Sequence, residues 1–359
     1  MKGFLFIGDP HAHSRRIGRR IDDYTSSVLE KLRIAGEIAR ELDLVPVILG
    51  DLFHQAHELL RDPRNDMPRY IAMLSRITEI LKGYPRKAIV LGGNHDKAET
   101  LLRHSDVLYL LGVADVIEVF DGECREAARF DFEGQSVALW VAPHGSVIPT
   151  RIDSDTDLVC LITHADLAFP GAYPGAAPLH EIAGCAFVVN GHMHGTTPSI
   201  VIGQTAWHNP GNIEPIAADY LDHKPAVWSW QKGQPTTELK PHYLPHNRDC
   251  FDMTGYIVPA ASKADSIKAI EASPSIEPVI PSETSQFAEL LLAQTGLEMH
   301  RKDDNESFVV ELQAGFEQLN ASESVRTLLL TLEQGLPAPA VEALDLPPAK
   351  IDEVKEEVA

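Results

Sequence analysis

The stretch FLFIGDPH, residues 4–11, decides the fold. Phe4, Leu5, Phe6 and Ile7 form a strand-length apolar run that stops abruptly at Gly8, Asp9, Pro10 and His11. An unbroken apolar run, rather than an alternating one, suits a strand covered on both faces, as in a parallel sheet. The layout recurs: residues 45–49 run into Gly50-Asp51, and residues 88–91 lead to Gly93-Asn94-His95-Asp96. Between the runs, apolar residues fall at helical spacing, first Val28, Leu32, Ala35, Ile38 and Ala39, then Ile71, Leu74, Ile77 and Leu81. This βαβ rhythm predicts a layered α/β sandwich with polar blocks at strand ends, where open α/β sheets build their sites.

Working outward, residues 137–141, 158–162 and 186–189 read as further buried strands, and 226–230 with 236–239 as a closing hairpin around Lys232-Gly233. A main domain over residues 1–245 results, followed by Pro- and polar-rich text at 243–249 that reads as a linker. Residues 250–315 read as a smaller α+β domain, and 320–359 as a helix with a flexible acidic tail. In that last part Leu328, Leu329, Leu330 and Leu332 suit either a partner-binding helix face or an ordinary core helix.

At 359 residues and 44% hydrophobic content the chain can bury a large core and support a second domain. The run 4–7 is too short for a signal-peptide core or a membrane span, which gives a cytoplasmic expectation without a membrane partner. Cys124, Cys160, Cys185 and Cys250 are widely spaced and suggest buried free thiols, not a zinc ribbon or disulfide framework. A formal net charge of -21 repels nucleic acid at long range. Part of that charge lies at 342–357, and bound divalent metal would neutralise more, so the total does not fix the charge of a cleft.

Five polar blocks stand where apolar runs end: Gly8-Asp9-Pro10-His11, Gly50-Asp51, Gly93-Asn94-His95-Asp96, His164 and Gly191-His192-Met193-His194. Mixed Asp, Asn and His donors without cysteine suit a catalytic pair of transition-metal ions. A strand-end carboxylate can bridge two ions, and ions roughly 3.5–4 Å apart clamp the attacking and leaving oxygens of a phosphoryl displacement. Asp51 is the candidate bridge. A lone Gly-Asp is ordinary turn chemistry, but turn chemistry does not explain the adjacent His95-Asp96 pair. His192 and His194 fall on one side of an extended segment.

In this order and position the blocks resemble the calcineurin-like metallophosphoesterase superfamily, from the first strand to the turn Asn209-Pro210-Gly211-Asn212. The resemblance implies a layered αββα sandwich. One metal would be held by Asp9, His11, Asp51 and His194, the other by Asp51, Asn94, His164 and His192. It leaves His95 to stabilise the transition state or protonate the leaving oxygen, with Asp96 orienting its ring, and makes a hydroxide between the ions the nucleophile. His13 reads as a surface or supporting residue.

Gly50-Asp51-Leu52-Phe53-His54 is similar to the SbcD-type nucleases, catalytic partners of SMC-like ATPases in DNA end processing. Protein phosphatases differ, continuing toward Asp-Arg-Gly and placing Glu after Asn-His; cyclic-nucleotide phosphodiesterases share the Gly-Asn-His-Asp and Gly-His-x-His blocks. The nuclease resemblance implies Mn2+, DNA, a capping role for the α+β domain at 250–315, an SbcC-type ATPase partner and a homodimer through helices near 70–81 and 101–111. It places His54 against the substrate phosphate or strand, where the bland alternative is a polar loop histidine. Arg15, Arg16, Arg19 and Arg20, and Arg61, Arg64 and Arg69 after His54, read as DNA-phosphate contacts or as solvated helix faces. Phe169 and Tyr173, in a Pro/Gly-rich stretch after His164, read as rings that stack on a base or simply pack. Three functions remain open: an SbcD-like exo/endonuclease subunit, a phosphodiesterase or phosphatase for a nucleotide or other small phosphoester, and a catalytically weak regulatory subunit binding an ATPase or nucleic acid.

Overall fold

The first apolar runs become parallel strands in the structure, a computed structural model that describes residues 1–58, 62–172, 174–220 and 223–255. In chain order the elements are β1 (Gly3–Ile7), α1 (Tyr24–Leu42), β2 (Leu44–Ile48), α2 (Pro63–Lys82), β3 (Ile89–Leu91), α3 (Val107–Val113) and β4 (Glu118–Phe120). There follow β5 (Arg125–Phe132), β6 (Gln135–Ala142), β7 (Leu158–His164), β8 (Phe187–Gly191), β9 (Thr197–Ile202), β10 (Thr205–Asn209), β11 (Ala226–Gln231) and β12 (Lys240–Tyr243). One six-stranded sheet has the order β12-β11-β1-β2-β3-β4 and the other β5-β6-β7-β8-β10-β9. Both are mixed: β1 to β4 run parallel in the first, flanked by antiparallel β11 and β12, and β6, β7, β8 and β10 run parallel in the second, with β5 and β9 antiparallel at its edges.

The unbroken run at β1 follows from this layering. Leu5 and Ile7 point into the core beneath α1 and α2, among Tyr24, Val28, Leu32 and Ile77. Phe4 and Phe6 point the opposite way, into the core shared with the second sheet, among Leu139, Ile162 and Phe187. Phe4 meets Phe132 edge-on at 4.9 Å. Each such ring contributes about 2–3 kcal/mol by leaving water. The far face of the second sheet is covered by Ile152, Leu167, Phe169 and Ile182, all from interstrand segments. Among the described residues, all three α-helices pack on the first sheet and loops form the fourth layer.

Helix boundaries follow local chemistry. The Asp23 side chain accepts from Ser26 N at the start of α1, and Asp62, followed by Pro63, caps α2. The second arm of the expected hairpin falls at Lys240–Tyr243 instead of 236–239. β5 and β9 carry no continuous apolar run because they are sheet edges with exposed positions. Past the last strand the chain stays on the main domain: Ile21 N donates to Cys250 O and Asp252 N to Arg19 O, both at 2.9 Å. The remainder of the expected capping domain, the segment 320–359, Arg61 and Tyr173 lie outside the described residues. All four cysteines are free, and no helix among the described residues is long and apolar enough to cross a membrane.

Candidate metal centre

Strand ends from both sheets converge on one point, and the backbone turns sharply there. Asp9, His11, Asp51 and His192 have φ of 25°, 48°, 48° and 73°, a region that costs a residue with a side chain roughly 1–3 kcal/mol. These turns swing the side chains off the strand axes into the gap between the sheets. Neighbouring bonds fix them: His11 N donates to Asp51 O at 2.8 Å, and Tyr24 Oη on α1 donates to His11 O at 2.9 Å. Beyond β8, the Asn209 amide donates to Met193 O and Gly195 O, bracketing His194.

Close approach also sets two glycines. A Cβ at Gly93 would overlap Asp51 Oδ1, and one at Gly50, itself at φ 116°, would overlap the His164 ring. Gly93→Ala should therefore displace Asp51 and weaken Mn2+ binding at least tenfold, about 1.4 kcal/mol, as read by isothermal titration calorimetry. Unchanged affinity would refute this packing.

Two mixed carboxylate–imidazole donor groups result, beside an all-histidine one of His11, His54 and His95. Ligand atoms of Asp9, His11 and His194 lie within 4.8 Å of one another, as do those of Asp51, His164 and His192. Asp51 Oδ2 stands between them, 3.7 Å from His11 Nε2 and 3.3 Å from His164 Nε2. Asn94 Oδ1 lies 3.1 Å from His164 Nε2 and 2.9 Å from His192 Nδ1. Carbonyl and carboxylate partners fix the tautomers. His164 Nδ1 must donate to Leu49 O at 2.8 Å, and His192 Nε2 to Asp166 Oδ1 at 3.1 Å. In their neutral forms Nε2 of His164 and Nδ1 of His192 both turn a lone pair toward Asn94 Oδ1, three donor atoms for one cation; without a cation, a proton on His164 Nε2 is held by Asp51 instead.

The sequence profile of the calcineurin-like phosphoesterases matches residues 3–196, more than half of the chain. The chain belongs to this family. A crystal structure of a hypothetical protein from Thermus thermophilus is similar at 12% identity and a TM-score of 0.36, over 67% of this chain and 98% of that one. Another crystal structure is similar at 14% identity and a TM-score of 0.37, with the same two coverages. No curated protein matches.

The residues of this phosphoesterase fit a pair of divalent cations. Both carboxylate oxygens of Asp9 and Oδ2 of Asp51 are buried without a hydrogen-bond partner, and His11 Nε2 lies 2.9 Å from His194 Nε2. Unpartnered buried acceptors are costly, and a cation at the centre satisfies them together. The electrostatics agree. Burial pushes Asp9 up to about 7 and His194 down to about 4. Burial also opposes charge on Asp51 and His164, yet their mutual attraction wins: Asp51 falls below the usual carboxylate range and His164 rises to about 9. The carboxylates thus demand positive charge at this point.

His95 lies beside the donors, its ring 4.8 Å from that of His11. Its ring is not oriented by Asp96. The buried Asp96 carboxylate accepts from Phe53 N and Gly93 N, both at 3.0 Å, and so ties two ligand-bearing loops together. The carbonyl of His54 holds the ring instead, 2.7 Å from His95 Nδ1. The His54 ring stacks on that of His95 at 5.2 Å and 22°, and burial with the neighbouring His95 and His13 lowers its pKa to about 4. His13 stands one step further out, its Nε2 3.9 Å from Glu58.

Other candidates lie elsewhere. Phe169 is 2% exposed within the core on the far face of the second sheet, so no base can stack on it; it packs. Arg15 pairs with Glu58 at 3.3 Å and Asp66 at 3.4 Å, and Arg19 donates to Asp252 O at 2.8 Å. Arg20 is buried against Asp22 and Glu214, away from any bound strand. Arg16 is exposed. Sequence reasoning missed His144, whose ring lies 5.7 Å from that of His192, and Asp166. The signal was present, since His144 also ends an apolar run, at β6, and Asp166 follows His164 by two residues.

Proposed function

We propose that this phosphoesterase is a manganese-dependent, SbcD-type nuclease that hydrolyses DNA phosphodiesters as the catalytic subunit of a complex with an SMC-like ATPase. The observation that carries this reading is the place of His54. With Phe53 it forms the pair by which the Gly50–His54 block is similar to SbcD-type nucleases, and its ring lies on His95 while its carbonyl holds His95 Nδ1. Asp9, His11, Asp51 and His194 would hold one cation and Asp51, Asn94, His164 and His192 the other. When bound, two such ions neutralise phosphate charge and lower the pKa of the attacking water.

The chain's own part is orientation and proton transfer. With Nδ1–H committed to the His54 carbonyl, His95 presents Nε2 to the reacting phosphate and, as the imidazolium, donates a hydrogen bond or its Nε2 proton to the departing oxygen, which leaves the neutral ring with Nδ1–H. His95→Asn should lower kcat on a diester about a hundredfold, with Mn2+ affinity retained and a larger loss for an alkoxide than for a nitrophenolate leaving group. Equal losses for both leaving groups would remove the proton-donor role.

Mn2+-dependent cleavage of linear duplex and single-stranded DNA, set against bis(p-nitrophenyl) phosphate and 2′,3′-cyclic mononucleotides, tests the whole reading. DNA should be cleaved with the highest kcat/KM. Preference for the cyclic mononucleotides would favour a small-phosphoester enzyme, the role the net charge of -21 suits. No DNA cleavage, with or without the ATPase subunit, would overturn the proposal.

A further inference from the structure

A groove of about 490 Å³ opens between the start of α1, the middle of α2 and the loop after His13. Its walls include Ser14, Arg15, Arg16, Arg69, Met73 and Arg76. Four guanidinium groups around one concavity are notable in a chain of net charge -21. Arg15 is engaged by Glu58 and Asp66, and it draws the loop against α2. Arg16, Arg69 and Arg76 are exposed, and none has a hydrogen-bond or ion-pair partner among the described residues. The two carboxylates that also line the groove are occupied: Asp22 pairs with Arg20 at 2.6 Å, and Asp23 caps α1 through Ser26. Three unspent cations therefore face a space of ligand size, for which the planar, bidentate guanidinium prefers phosphate.

The groove is tied to the metal centre through its own wall. Ser14 N and Oγ bond Glu58, the adjacent His13 ring lies 5.5 Å from that of His54, and His54 lies on His95. We infer that this groove is a second phosphate-binding site, one that takes phosphate groups of the substrate remote from the one being hydrolysed. The source of those phosphates is either the backbone of a nucleic acid strand leaving the metal centre or a free polyphosphate. The strand arm rests on the nuclease reading above.

The test uses the full chain in EDTA, so that phosphate binding at the metal centre does not contribute. Fluorescence anisotropy would follow a labelled single-stranded 12-mer, with inorganic tripolyphosphate as competitor. Replacing Arg16, Arg69 and Arg76 together by Ala should weaken 12-mer binding at least tenfold and reduce its salt slope by about 2, at roughly 0.7 per lost phosphate contact. A control with Arg33, Arg129 and Arg151 replaced by Ala removes the same charge from exposed arginines paired with carboxylates elsewhere. It should bind as the unsubstituted chain does. Displacement by tripolyphosphate at equal phosphate concentration assigns the groove to free phosphates; resistance to it assigns the groove to a strand. Absence of 12-mer binding by the unsubstituted chain, or equal weakening in both triple variants, overturns the inference. Hydrolysis of bis(p-nitrophenyl) phosphate by the unsubstituted chain with Mn2+ reads the metal centre separately, so its failure would sink the nuclease reading and leave the groove to the anisotropy result.

Discussion

Asp51→Asn should lower Mn2+-dependent diester hydrolysis about a thousandfold or more, equivalent to about 4 kcal/mol of transition-state stabilisation. Asp51 stands between the two donor groups, with Oδ2 facing both His11 and His164. Asn preserves the shape and the oxygen that accepts His95 N at 2.8 Å, so the loop 93–96 keeps its anchor. What it removes is the negative charge shared by both groups, which no neighbouring side chain can replace. Three measurements separate site from fold: kcat/KM on bis(p-nitrophenyl) phosphate, Mn2+ affinity by calorimetry, and the metal-free melting temperature. Activity and affinity should collapse while the metal-free melting temperature stays within a few degrees. The unsubstituted chain should gain thermal stability from Mn2+, and the variant should lose that gain, because only ligand binding to the folded state raises it. A variant that kept a tenth of its activity would remove Asp51 from the bridging position.

Much of this centre was legible because strand ends announce themselves. An apolar run that stops at Gly plus a polar residue marks both where a strand lies and where its loop begins, and β1, β2, β3 and β8 obey this, while β7 runs without a glycine into Thr163-His164. The donor residues could be picked out one by one on that basis. Their mutual geometry could not, since it depends on left-handed backbone at Asp9, His11, Asp51 and His192 and on which carbonyl receives which imidazole N–H. Asp96 illustrates the gap. Adjacency to His95 suggests that it orients that ring, but successive residues in the turn point apart, and its oxygens reach Phe53 N and Gly93 N. Phe169 shows the converse. Pro and Gly neighbours suggest an exposed rim, yet an interstrand segment that covers a sheet must supply its own apolar side chains. Edge strands β5 and β9 escaped because exposure on an edge replaces the apolar run with mixed text. Arg20 was one of a basic cluster by sequence and an interior cation in the fold, a distinction that only Glu214, far along the chain, makes visible.

Glu214→Ala should destabilise the protein by about 3–5 kcal/mol, the cost of leaving buried cations uncompensated. Glu214 is 1% exposed and receives three groups: Arg20 Nη1 at 2.5 Å, Lys31 Nζ at 2.6 Å and Ser27 Oγ at 2.5 Å. Arg20 and Lys31 are themselves 3% and 1% exposed, so neither regains water when the carboxylate goes. Arg20 keeps Asp22; Lys31 has no second ion pair among the described residues, and burial already lowers its pKa below the ordinary 10.5 against the pull of Glu214. In the variant that pull is lost and the depression deepens. A lysine with a depressed folded-state pKa binds fewer protons folded than unfolded, so stability rises with pH up to the unfolded value. The deficit of Glu214→Ala should accordingly shrink from about pH 7 to about pH 9.5, read by urea unfolding of both proteins. Glu214→Gln, which keeps a hydrogen-bonding oxygen, should cost less. The consequence reaches the metal centre, because the backbone beside Glu214 holds two donor loops: Ile213 N bonds Gly8 O and Asn212 N bonds His194 O, each at 3.0 Å. Mn2+ affinity should fall with stability in the Ala variant and recover in the Gln variant. A deficit below about 1 kcal/mol, or one that grows with pH, would show that these cations find other partners and that Glu214 is not what fixes α1 to the site.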